Sequence, residues 1–149
     1  MRQIAYNLQF KGHAAPAGGS STILKAKTAA ASCTMTTIVS AEGVSSTLQP
    51  AAGGNASFES EVTITGETAF LESGTITFGE IRDRLRFSTV GQGYLGASAD
   101  PQLKHGSVMW RVDGGEGQFA GASGLITSNF VINEAGEVTD NHFGVIFVP

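Results

Sequence analysis

The stretch DGGEGQFAGASG, Asp113 to Gly124, decides how this chain folds. Gly115, Gly117 and Ala120 fit G-x-G-x-x-A, a variant of the dinucleotide fingerprint, in which a glycine-rich loop aims a helix N-terminus at a pyrophosphate. Such a loop follows a strand and opens a helix inside a βαβ unit. The strand is present as SVMWRV, and Glu134 even supplies an acid at about the right remove of 20 residues. The helix is not. QFAGASGLITSNFVI places Gly121 and Gly124 where the first helical turns belong, then runs into β-branched alternation. Too little chain follows Gly124 to complete a doubly wound sheet. The glycines therefore read as a turn with a short bulged strand, supplying positive φ and close backbone approach.

Working outward, the dominant period is two. Ile4, Tyr6, Leu8 and Phe10 alternate with Gln3, Ala5, Asn7 and Gln9, which makes an amphipathic strand with one face on a core. Phe58, Val62 and Ile64 share a face against Glu59, Glu61 and Thr63. GTITFGE, IRDRLRFSTV, GSVMWRV, GLITSNFVI and VTDNHFGVIFV follow, with turn signals at Gly18-Gly19, Gly53-Gly54, 41–43, 99–101 and 133–136. The segment STILKAKTAAASCTMTTIVS is ambiguous: its alanines permit a helix, while Thr34 to Val39 favour a strand. Residues 14–57 are the least specified part, with a loop expected around Gln49 to Asn55. No 3.6-residue apolar stripe with caps stands out. The expectation is a single all-β domain over 1–149, an antiparallel barrel of about eight strands.

The 149 residues suffice for one core, burying roughly 70% of the unfolded chain's surface. A formal net charge of −4 argues against nucleic acid or an anionic membrane as main partner. Charged residues are only 15%, against a usual level of about 25%, so much of the chain is buried or its surface is covered by other subunits. The single cysteine, Cys33, rules out an internal disulfide and a Cys-rich zinc site. Neither a signal peptide nor a membrane-spanning apolar run is read, so a soluble, cytoplasmic chain is expected.

GGEGQFAGASG, between an apolar strand and a long strand pair, resembles the G-G-x-G-x-F-x-G-A-x-G signature of the allene oxide cyclase/dirigent-like barrel superfamily, including its uncharacterised bacterial members. The match runs over residues 107–148. The resemblance implies an eight-stranded antiparallel barrel, often trimeric, with a hydrophobic cavity. Members use that cavity, with no cofactor, to hold a reactive intermediate and steer its closure or coupling. The first strand departs from the allene oxide cyclase pattern, reading IAYNLQF, so the resemblance assigns no catalytic residue.

Polar side chains on apolar strand faces supply the candidates. Asp83 shares a face with Ile81, Leu85 and Phe87, while Arg82, Arg84 and Arg86 point the other way. Asp83 is thus either an inward carboxylate suited to acid–base work or a rim carboxylate paired with an arginine. The arginine stripe itself reads as an outer surface facing Glu59 and Glu61. His142 lies in register with Ile146 and Val148, as a cavity acid or base or as an interface histidine. Tyr6 belongs to the inner face of its strand, where a phenol can polarise a carbonyl. Asp83, His142 and Tyr6 are the catalytic candidates. Phe10, Phe87, Trp110 and Tyr94 are the candidate walls for substrate. The isolated His13, His105 and His142 give no metal-binding spacing, and Cys33 reads as packing. The expected activity is a cofactor-free isomerase or cyclase acting on an apolar small molecule, such as one of secondary metabolism, in a homo-oligomer, trimer or dimer. A non-catalytic carrier, or an assembly protein with a filled interior, is the alternative.

Overall fold

The computed structural model describes residues 1–80 and 83–149, so Ile81 and Arg82 lie outside the described residues. Nine strands form: β1 Arg2–Pro16, β2 Ile23–Ser40, β3 Gly43–Ile64, β4 Ala69–Phe78, β5 Asp83–Thr89, β6 Gly93–Ala97, β7 Leu103–Glu116, β8 Ser123–Asn133 and β9 Glu137–Val148. All pair antiparallel in one sheet that closes in a ring, because β1 pairs with both β2 and β9 and β3 pairs with β4. β5 and β6 occupy successive lengths of one ring position, each pairing with β4 and β7. No α-helix forms among the described residues, and none is long and apolar enough to cross a membrane.

The opening motif works as the period-two reading requires. After β7 comes only a single 3-10 turn, Gly117–Phe119, and then β8. A dinucleotide loop has no helix to open here. Gly115 pairs with Leu85 beside a register shift between Leu85 and Phe87, so the motif closes β5 onto β7 through a bulge. A side chain at Gly115 would collide with the Arg84 carbonyl oxygen, which is why only glycine fits.

Inside the ring, alternate residues stack in layers. Phe10, Phe58, Phe87 and Trp110 form an aromatic layer, with Phe58 and Phe87 centroids 5.3 Å apart and Phe87 and Trp110 4.5 Å apart. Beneath it lie Ile76, Leu85, Ile126 and Ile146, all with no exposure. Arg111 and Met109 face outward and Val108, Trp110 and Val112 inward, as their parity requires.

Two local expectations are corrected, the loop around Gln49 to Asn55 and the Glu59 and Glu61 partners of the arginine stripe. The ambiguous segment is strand from Ile23 to Ser40, and Gln49 to Asn55 belong to β3 rather than to a loop. The structure pairs Arg86 with Glu116 at 3.8 Å and Lys27 with Glu59 at 3.7 Å, because Thr75 stands between Glu59 and Arg86 in the register. Cys33 sits half-buried at a bulge in β2, where the strand departs from the ring.

Candidate functional site

The ring is open at one end and plugged at the other. At the open end, β2, β3, β6, β7 and β8 surround a vestibule of about 860 Å³. Leu24, Ile64, Leu95 and Ile132 narrow it to an inner cavity of about 70 Å³. Phe58, Phe70, Phe130, Val62 and Val138 wall that cavity, and two carboxyl side chains reach it, Glu72 from β4 and Asp140 from β9. Both are buried. Two carboxyl groups on facing sides of an otherwise apolar chamber are costly, and each has a fixed partner that reduces the cost.

Glu72 falls on the inner phase of AFLESGTITF together with Phe70, Gly74 and Ile76. The Ser60 hydroxyl, one strand away, donates to Glu72 Oε1 at 2.6 Å. Burial above all, opposed by the Ser60 hydrogen bond, reinforced by the Asp140 charge and eased by the nearby Trp110 indole, leaves the Glu72 carboxyl pushed up to about 8. Glu72 is therefore a neutral carboxylic acid at pH 7, able to donate a proton. Asp140 is fixed from both sides. Ser128 Oγ donates to its Oδ1 at 2.6 Å, and His142 Nε2 donates to its Oδ2 at 2.9 Å.

His142 lies fully buried in an aromatic box, its ring 4.3 Å from that of Phe10, 5.0 Å from Trp110 and 5.4 Å from Phe58. With Nε2 engaged by Asp140, Nδ1 has no partner among the described residues. The Thr28 hydroxyl in the cavity wall also lacks a partner among the described residues. Unsatisfied buried polar atoms are uncommon in folded proteins, and here two of them, on His142 and Thr28, lie near the two carboxyl groups.

The structure thus brings one of the three catalytic candidates, His142, to a buried polar cluster. Tyr6 faces inward but on the plugged side of the ring, its ring edge-on to Phe78 and lying over Gly144, whose missing Cβ leaves the space. Its buried hydroxyl has no partner among the described residues, and burial together with the Asp140 charge drives its acidity far below that of a free phenol. Asp83 is not an inward carboxylate of the cavity. It stands half-buried where β5 begins, across from Phe78, and accepts from the Gln118 backbone N–H at 2.9 Å and from Gln118 Nε2 at 3.0 Å. It caps the 3-10 turn, and among the described residues no arginine pairs with it. Phe10, Phe87 and Trp110 lie in the layer under the cavity, and Phe58, Phe70 and Phe130 take the lining positions. Tyr94 is on the outer surface, 51% exposed, because Leu95 takes the inward phase of that short strand.

Glu72, Asp140, Ser60 and Ser128 escape a reading based on apolar runs, yet the signal exists. Each sits on the apolar phase of its strand, between Phe70 and Gly74, Val138 and His142, Phe58 and Val62, and Ile126 and Phe130. Among the described residues no group of three or more His, Cys, Asp or Glu side chains has a metal-holding arrangement. Comparison with protein-family models, with curated proteins and with solved structures finds no match to this chain.

Proposed function

We propose that this chain is a cofactor-free isomerase or cyclase of an apolar small molecule, built as an allene oxide cyclase/dirigent-like barrel. One observation carries the reading: a carboxylic acid kept neutral at pH 7 faces a carboxylate–histidine pair across an apolar cavity. Paired carboxyl groups whose surroundings push their proton affinities apart are suited to donate and accept a proton on one substrate. In the proposed cycle Glu72 Oε–H protonates a substrate oxygen or double bond. Asp140, steadied by Ser128 and His142, takes a proton from a neighbouring carbon. The product has the atoms of the substrate, and both side chains regain their starting states by proton exchange with vestibule water.

The cavity sets the ligand's shape. Sites for small molecules commonly span about 300–1,000 Å³, so a chamber of about 70 Å³ takes only one end of a ligand. The rest lies in the vestibule, between Leu24, Ile64, Leu95 and Leu103. Holding the reacting end against the two carboxyl groups supplies the orientation on which such a reaction depends.

The test starts from protein purified without organic solvent, whose co-purifying apolar ligand is released and identified by mass spectrometry. Incubated with that ligand in D₂O, the wild type is expected to place deuterium on carbon, and Glu72→Gln and Asp140→Asn to abolish it. A carrier of the same ligand would bind it equally in all three proteins and exchange nothing.

A further inference from the structure

Beyond Ala31 and Asn55, β2 and β3 leave the ring and continue as a two-stranded arm. Eight cross-strand pairs, from Cys33–Pro50 to Ser40–Gly43, hold it together, and among the described residues no third strand joins them. Opposed residues share a face. Cys33, Met35, Val39, Val44, Leu48 and Pro50 therefore lie on one side of the ribbon, and threonines, serines and Gln49 dominate the other. The apolar side is open to solvent: Val39 is 78% and Val44 72% exposed. A lone two-stranded ribbon is at best marginally stable in water, so this arm lacks the surface that would hold it.

The same chain offers such a surface. On the outside of β8 and β9, Leu125, Val145, Phe143 and Phe147 are neighbours in the register, all but the half-buried Val145 exposed, with Met109 of β7 beside them and the outward Arg111 at their edge. Charge sets this wall apart. No Asp, Glu, Lys or Arg lies on the outer face from Gln3 to Gln9, from Ser123 to Val131 or from Thr139 to Phe147. Lys25, Lys27, Glu59, Glu61, Arg84 and Arg86 stand instead on the outside of β2, β3 and β5. The arm strands are equally free of charge, the one ionisable group of the hairpin beyond Cys33 being Glu42 in its terminal turn. Depletion of charge with aromatic and methionine enrichment is the composition of an interface core.

We infer that the β2–β3 arm of one chain packs its apolar face on the uncharged β8–β9–β1 outer wall of a second copy of the same chain. Size agrees. A stable interface takes about 20–30 residues a side, more than eight pairs of arm residues alone provide, but within reach when the same copy also contributes its wall. Neither surface shows the charge that would recruit an acidic or basic partner. The inference does not depend on the proposed chemistry of the interior.

Light-scattering mass measurement on the full chain tests it, with four proteins compared. The wild type is expected at two or more times the chain mass. Val39→Lys/Val44→Lys on the arm and Phe143→Lys on the wall are each expected to return it to the monomer. Thr36→Lys/Thr47→Lys, on the polar side of the same arm, is expected to leave the assembly intact. All these positions are exposed or on the freestanding arm, and an unchanged near-ultraviolet signal from buried Trp110 reports that the ring stays folded. A monomeric wild type overturns the inference, including one that binds phosphatidylcholine vesicles through the arm. So does a multimer whose mass survives either the arm or the wall substitution.

Discussion

Glu72 shows how one residue ties stability to pH. Its carboxyl ordinarily titrates at 4.5 and in the folded ring at about 8, so between those values the folded state holds a proton that the unfolded state has released. Stability therefore falls as pH rises through that window, by up to about 1.4 kcal/mol per pH unit, and levels off above it. Denaturant unfolding from pH 5 to 9 is expected to show this decline in the wild type and a flatter profile in Glu72→Gln. The amide keeps an acceptor for Ser60 and has no proton to lose. Ser128 makes the complementary case. Ser128→Ala removes the donor 2.6 Å from Asp140 and leaves a buried acceptor short of a partner, at an expected cost of about 1–3 kcal/mol by the same unfolding measurement. These side chains were legible in principle, because strand parity alone puts a glutamate, an aspartate and two serines among inward apolar residues. Asp83 had the same signature and went elsewhere. It begins its strand, and the backbone N–H of Gln118, 35 residues on, takes its carboxylate in a contact that no periodicity encodes.

At the scale of elements, alternation carries most of what the sequence discloses. The inward sets of β1, β7 and β9 follow from their spacing, and so does the outward position of Arg111. Two features resist that reading. The arm was obscured because threonine, alanine and serine with glycine pairs look like loop in the absence of a buried face, and neither of its faces is buried in the single chain. The division of one ring position between β5 and β6 depends on where β4 and β7 find partners, which is a property of register rather than of either short strand. The glycine motif, by contrast, is informative because its role is steric. Gly115→Val sets a branched side chain against the Arg84 carbonyl and is expected to destabilise the chain by more than about 2 kcal/mol, whereas Gly79→Ala, at a turn with open space around it, should cost less. Comparing the two midpoints in urea separates a closure made by backbone contact from one made by turn preference alone.

For the whole molecule, the arrangement is a ring with a packed half and a hollow half. Aromatic and branched side chains fill the plugged end, and truncating the central Trp110 to Ala is expected to cost about 3–5 kcal/mol. The hollow end spends part of the core on a cavity and two buried carboxyl groups, neither of which helps the chain to fold. Interiors with that composition are usual where a ligand supplies the missing contacts, and a ligand present at a hundred times its Kd would return about 2.7 kcal/mol. The central claim is that this hollow end holds a neutral acid at pH 7. Infrared titration of protein carrying ¹³C-labelled glutamate measures it directly. The account predicts one neutral glutamic acid carbonyl band persisting through pH 7, fading near pH 8 and absent from Glu72→Gln. Full ionisation of every glutamate by pH 6 would contradict it, and with it the proposed proton donor.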